Sequence, residues 1–395
     1  MSVVSHGLKE AGRDCGSEPA PTVQLLNPLT TPSWDEIVQA WSDYTFFHGQ
    51  AWARVLHRTY GHRPCYALLD GAVSEAAPKS ADFAPGEGGA GEQNLRTKSQ
   101  VLVPLMEVRS FLTGCRGVGL PFTDQCSPLG GGVLIPPTSS YLLAPASPLL
   151  DLARKRGWRF VEFRGGSPPE PGATPSLNFF GHRLRFAGRS PEVLLQDCES
   201  SVRRATRKAQ QSGLRVELSQ TLDVVHDFYA LHVQTRRKHG VPPQPFSFFC
   251  NIREEIMAKG QGFVAIARLD SRAVAASVFF HLGKRAIYKF GASDERQQHL
   301  RANNLVMWEA ISWFARQGFE SLHFGRTSLS NAGLRRFKLG WGTEEETLSY
   351  YRFDLRRHRW LTGTDRASGW HNHFFRHLPA WPNRVLGALL YPHLD

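Results

Sequence analysis

The stretch YKFGASDERQQHLRANNLVMWEAI, Tyr288 to Ile311, changes its periodicity twice. It begins inside a strand candidate, RAIYKFGAS (Arg285–Ser293), rich in aromatic and β-branched residues. A polar segment, RQQHLRANN (Arg296–Asn304), interrupts it, and apolar residues then recur at helical spacing through NNLVMWEAISWFARQG (Asn303–Gly318). Two further strands precede this unit, GFVAIARL (Gly262–Leu269) and AVAASVFFHL (Ala273–Leu282). Before them, Thr221 is placed to cap a helix through LDVVHDFYALHVQTRRKHG that stops at Gly240 and VPP. SVRRATRKAQQSG (Ser201–Gly213) is a helix closed by glycine, and Pro191 starts a short one ahead of it. Downstream lie a strand SLHFG, a short helix around NAGLRRFKL and a last strand TLSYYRFDL. From Ser201 the predicted order is α α β β β α β α β.

The first half mixes helices and strands less regularly. Apolar spacing is helical between Trp34 and Tyr60, SPLLDLARKRG gives a helix ending at Gly157, and WRFVEFR follows as a strand. CYALLD and VLVPLMEV are strands around a polar insert, while GCRGVGLPFTDQCSPLGGGVLIPP, dense in Gly and Pro, predicts a loop-rich wall. A chain of 395 residues exceeds what one core usually organises. The expected division is a disordered N-terminus over 1–22, a first domain over 23–189 with a disordered insertion at 71–100, a second domain over 190–356, and a tail over 357–395.

The formal charge of +12 points to an anionic partner such as nucleic acid, a phosphorylated substrate or an acidic membrane surface. Six scattered cysteines without a CxxC pair suit a reducing compartment and argue against zinc ribbons. No apolar run has the length of a signal peptide or a membrane span, so a cytoplasmic location is the expectation. His373 and His377 are spaced i, i+4, but no carboxylate lies close by, and no metal site is predicted.

The string YKFGASDERQQHLRANNLVMWEAI, followed by HFGRTS and GLRRFKLGWGTEE, resembles the GNAT-type second domain of Fem-family aminoacyltransferases, and more closely the FemAB-like proteins of exosortase and exopolysaccharide systems. HGQAWARVL, LPFTD and FVEFRGG are fainter echoes in the first half. The resemblance implies an α/β fold of tandem GNAT-like domains, with mixed sheets flanked by helices and a substrate channel between the domains. It implies transfer of an acyl or aminoacyl group from an activated donor, aminoacyl-tRNA or an acyl-CoA cosubstrate, to an amine-bearing acceptor, with no tightly bound cofactor.

Amine attack on an ester or thioester creates an oxyanion, and the site needs a fixed positive charge there. The resemblance assigns this role to Lys338 in the FK pair, with the Phe337 ring beside it. From spacing alone, Arg335, Arg336 and Lys338 are cations favoured at a helix C-terminus, and Leu334, Phe337 and Trp341 form a buried face. Tyr288 matches a tyrosine that Fem enzymes direct at substrate, and Arg326 sits just past a strand end, where ligands gather in open sheets. Phe337, Tyr288, Arg326, Arg336 and Trp341 are thus the substrate-binding candidates. His323 is a candidate base by position only.

Coenzyme A-dependent relatives cradle pyrophosphate in R/Q-x-x-G-x-G/A. Aligned on Gln297 and Ala302, this chain has Leu300 where the glycine belongs, which favours a tRNA-linked donor, with Arg301 left to hold an anion. Arg203, Arg204 and Arg207 form a cationic helix stripe on which tRNA phosphates would rest. The acidic run Glu344–Glu346 is read as a solvated turn, and the tail as docked on the body or lying on an anionic membrane. The alternative to a transferase is a non-catalytic, basic RNA-binding protein on the same scaffold.

Overall fold

The computed structural model describes residues 22–72, 99–130, 147–170, 172–363 and 370–394; the polar N-terminus and most of the 71–100 insertion lie outside them. The first half runs β1 (Thr22–Leu26), α1 (Trp34–Gln39), α2 (Gln50–Tyr60), β2 (Arg63–Pro64), β3 (Tyr66–Ala72), β4 (Ser99–Val103), β5 (Met106–Ser110), β6 (Gly114–Val118), α3 (Pro148–Lys155), β7 (Phe160–Arg164) and β8 (Leu177–Arg185). The second half begins α4 (Pro191–Asp197), α5 (Ser200–Gln210), β9 (Leu214–Ser219), α6 (Leu222–Lys238) and α7 (Phe246–Glu255). It continues β10 (Gly262–Leu269), β11 (Arg272–Leu282), β12 (Arg285–Ser293), α8 (Ala302–Arg316), β13 (Ser321–His323), β14 (Thr327–Ser328), α9 (Ala332–Leu339), β15 (Glu344–Asp354) and β16 (Arg359–Trp360). Two helices close the chain, α10 (Trp370–His377) and α11 (Ala380–Leu390).

One mixed sheet runs through both halves in the order β2-β5-β6-β7-β15-β8-β13-β12-β11-β10-β9, beside a small sheet β1-β3-β4. In β10 and β11 the side chains alternate between two cores, as a pleated strand requires. Val264, Ile266, Val278 and Phe280 join Trp52 of α2 with Phe228 and Phe248 of α6 and α7. Phe263, Ala265, Ala275 and Phe279 face the other way, onto Leu305 and Phe314 of α8. Strands that are apolar on both faces are buried on both, which is why β10–β12 were legible as strands.

Several elements were not foreseen, among them β6, which lies where a loop-rich wall was expected. Strand β8 carries Gly181, His182 and Arg183 within it, a pattern that hides a strand from reading by apolar alternation. Its partner is the acidic run, which is no solvated turn. Glu344 opposes Arg183, Glu345 opposes His182 and Glu346 opposes Gly181 in the antiparallel β8–β15 pair. The charges of one strand answer those of the other. Strand β9, helix α7 and the tail helices α10 and α11 were likewise not foreseen.

β12 and β13 pair in parallel only from Arg285–Ser321 to Ile287–His323. Beyond that register β12 continues to Ser293, while the chain after β13 leaves through Phe324, Gly325 and Arg326. The two parallel strands part here, at the position where open sheets commonly place their sites.

Trp52 ties the halves together, its ring 5.9 Å from Phe248 and 6.0 Å from Phe280. Trp52→Ala is expected to lower stability by about 3–5 kcal/mol. Both halves should unfold in one transition in denaturant; two separated transitions would contradict the shared core.

Candidate active site

Asn331 caps α9, its side chain accepting the Leu334 N–H at 3.0 Å. Successive residues of a helix point about 100° apart, so Phe337 and Lys338 serve different places. Phe337 lines a cavity of about 190 Å³ with Val274, Gln297, Arg301 and Asn304. Lys338 turns inward and is 2% exposed. Its Nζ donates to the carbonyls of Gly325 at 2.9 Å and Arg326 at 3.1 Å. Gly325 has φ 69°, and a side chain there would press on the Tyr288 carbonyl and the Asp124 carboxylate. Two of the three ammonium hydrogens are thereby used; the third, or a lone pair after deprotonation, remains for a ligand.

The first half supplies Asp124, on a tight loop in which Leu120 and Phe122 adopt φ 47° and 61°. Its carboxylate accepts from Lys289 Nζ at 2.7 Å and from the Arg326 N–H at 3.3 Å. Lys289 also lies 5.2 Å over the Phe47 ring. Tyr350 of β15 donates its hydroxyl to the Asp124 carbonyl at 2.8 Å and accepts from Arg326 Nη1 at 3.1 Å. Arg326 is exposed above this, its guanidinium 4.6 Å from the Phe179 ring. Burial works to raise Asp124, but Lys289 and Arg326 outweigh it and hold the carboxyl below its usual value. Burial pushes Lys338 down from 10.5 to about 7, Asp124 resisting and the Lys289 charge adding to the fall.

His323, the candidate base, has both ring nitrogens committed. Nδ1 accepts the Gly325 N–H at 3.0 Å, which leaves Nε2 to donate to Glu346 Oε1 at 3.1 Å. No lone pair remains to take a proton, so that role is withdrawn. Glu346 is held down at about 2, first by this bond. His182 Nε2 meets Glu345 at 3.1 Å, and its buried Nδ1 has no partner among the described residues.

The other expected residues divide. Arg301 and Phe337 share the 190 Å³ cavity. Arg301 occupies the left-handed region at φ 58° just before α8. A larger cleft of about 980 Å³ adjoins it at Ser293 and Asp294 and is lined by Arg237, Lys238, Arg272 and Arg296. Tyr288 packs in the second-half core, 5.5 Å from Phe279, its hydroxyl over Gly291, where any Cβ would meet it at 1.9 Å. Trp341 is 1% exposed and packs in the same core, while its buried indole N–H has no partner among the described residues. Arg336 is exposed on α9. Arg204 and Arg207 are exposed on α5, whereas Arg203 donates to the Gln196 carbonyl at 2.7 Å and so closes the end of α4. Asp124 and Lys289 were missed as site residues. The signal for Lys289 was a lysine within an otherwise apolar strand, which must find a buried partner.

Residues 196–346, less than half of the chain, match the family described as the acetyltransferase (GNAT) domain. The crystal structure of FemX superposes with a TM-score of 0.59 at 12% identity, over 83% of this chain and 96% of that one. A tandem GNAT protein from the clavulanic acid biosynthesis pathway, solved without AcCoA, gives 0.50 at 10% identity over 85% and 98%. No curated protein sequence is significantly similar. The fold is a mixed α/β one of tandem GNAT-like type, with a GNAT domain in its second half.

Lys338 makes stability depend on pH with a definite sign. Between about 7 and 10.5 the unfolded chain holds a proton that folded Lys338 lacks, so its contribution rises with pH across that window and is flat below it. Unfolding at stepped pH should show the wild type gaining on Lys338→Met by at most about 1.4 kcal/mol per pH unit, and a parallel pair of curves would refute the shift. Asp124→Asn leaves Lys289 buried without its counter-charge, and a loss of about 3–5 kcal/mol is expected in the same measurement.

Proposed function

We propose that the protein is an N-acyltransferase of FemAB/GNAT type, moving an acyl or aminoacyl group from an activated ester or thioester to an amine. One observation carries this reading: an enclosed Lys338 ammonium, anchored on two carbonyls with one position left over, where the two halves meet. The amine nitrogen attacks the donor carbonyl carbon, and the C=O pair moves onto oxygen, opposite the Lys338 N–H. Collapse restores the carbonyl and expels the alkoxide or thiolate, which takes the proton released by the amine. A donor held in place where water is excluded stabilises the oxyanion with little reorganisation.

Aminoacyl-tRNA is the favoured donor and acyl-CoA the other; neither is tightly bound. Leu300 stands where coenzyme A relatives use glycine, which supports the first. The motif string supports membership of the exosortase-associated FemAB-like group, hence an acceptor amine of cell-envelope or exopolysaccharide biogenesis and a cytoplasmic place of work. Arg326 would border the reacting groups and Phe337 would line the donor cavity with Arg301, with Arg204 and Arg207 toward the donor phosphates.

Incubation with labelled aminoacyl-tRNA or acetyl-CoA and an amine pool tests the reading. Label should pass to an amine, and Lys338→Met, folded by circular dichroism, should lose on the order of 10²–10³ in kcat. Because the ammonium is the donor, kcat should fall as pH rises through about 7. A rise there would make the neutral amine a base instead. No product from either donor, with tight and steeply salt-dependent RNA binding, would favour the binding protein.

A further inference from the structure

Helix α11 turns its apolar side chains outward. Its inner face is fixed by Gly387, where a Cβ would lie 2.1 Å from the Pro243 carbonyl oxygen, so the helix backbone rests directly on Pro242–Pro243. Asn383 is fully buried on that face. The following turn is pinned as well. Tyr391 accepts from Arg236 Nη2 at 2.8 Å, donates to the Pro242 carbonyl at 3.2 Å, and sets its ring 5.5 Å from Phe122. With rotation excluded, Trp381, Val385 and Leu389 stand outward at i, i+4 and i+8, exposed by 72%, 51% and 63%.

A second element extends the patch. The tip of the β5–β6 hairpin exposes Phe111 by 85% and Leu112 by 59%, and the Phe111 ring lies 4.5 Å from His393, just beyond α11. Leu394 is exposed beside it. The stretch Trp370–Leu394 carries the exposed Arg376 and Arg384 and no acidic side chain, and Arg109, paired with the buried Glu107, stands exposed at the base of the hairpin tip. Arg237 donates to the Arg376 carbonyl and adds to the same rim.

Apolar residues gathered on a surface and rimmed by cations mark a contact site. These protrude as a helix ridge and a hairpin tip and enclose no groove. Such a shape suits a deformable partner that needs no complementary knobs. The rim, on a chain of net charge +12, selects a negative one. Among the described residues no helix is long and apolar enough to cross a membrane, so the contact is with the interface alone. We propose that the outer face of α11 and the β5–β6 tip dock the protein on an anionic lipid bilayer.

The test is co-sedimentation of the full chain with vesicles of phosphatidylcholine alone and of phosphatidylcholine with phosphatidylglycerol. Binding to the anionic vesicles is expected, weakening with salt and at least about tenfold poorer on phosphatidylcholine alone. The triple variant Trp381→Ser, Val385→Ser, Leu389→Ser should lose it with an unchanged circular dichroism spectrum and unchanged transfer in solution. Phe111→Ser with Leu112→Ser, on a separate element, should weaken it independently. Lys338→Met should bind as the wild type does, which separates this proposal from the transferase reading. Wild type left in the supernatant, or a triple variant that still sediments, overturns the proposal. So does a wild type that self-associates through this face, with the triple variant monomeric and no vesicle bound.

Discussion

Everything at the site depends on strand β15 belonging to both halves at once. Its residues Glu344–Tyr350 pair with β8, and Tyr350–Asp354 pair with β7. Tyr350 is the residue held in common, opposite Leu177 on one side and Arg164 on the other. From that crossing its hydroxyl reaches the Asp124 carbonyl and fixes the loop of the first half against the second. Asp124 and Lys338 are far apart in sequence, and this backbone ladder explains why one carboxylate and two lysines share an enclosure.

That enclosure holds an imbalance of charge. Lys289 has Asp124 as its partner at 2.7 Å, while Lys338, among the described residues, bonds carbonyl dipoles and feels Asp124 only through space. A buried cation without a counter-ion is unfavourable, and the lysine answers by giving up affinity for its proton. The same deficit of negative charge is what a forming oxyanion would relieve. The folded state bears the cost at rest, and the gain would fall in the transition state of the proposed transfer.

How much was legible follows from which residues carry their environment in their own chemistry. Strands β10–β12 and helix α8 declared themselves because both faces are apolar or the spacing is helical. The motif string singled out Lys338, Phe337 and Arg301, but it set Phe337 beside the lysine, and only the fold brings that ring to the cavity of Arg301. Strand β8 was not, because His182 and Arg183 disguise it until the facing glutamates of β15 are known. Asp124 was hidden in a Gly- and Pro-rich stretch, and its place depends on backbone at Leu120 and Phe122 that no propensity predicts. Trp341 was expected both on the buried helix face and at the substrate, and its spacing reads alike for either; the core it joins accounts for the first.

The sheet that runs unbroken from β2 to β9 also limits how the molecule can open. A clamshell swing would tear the β7–β15–β8 ladder and part Trp52 from Phe248, so the two halves behave as a welded block. The short connection between β13 and α9 offers no hinge either, since Thr327 and Ser328 pair with Phe180 and Phe179 of β8 while the carbonyls of Gly325 and Arg326 hold Lys338. A group that reached Lys338 would therefore meet surroundings already assembled.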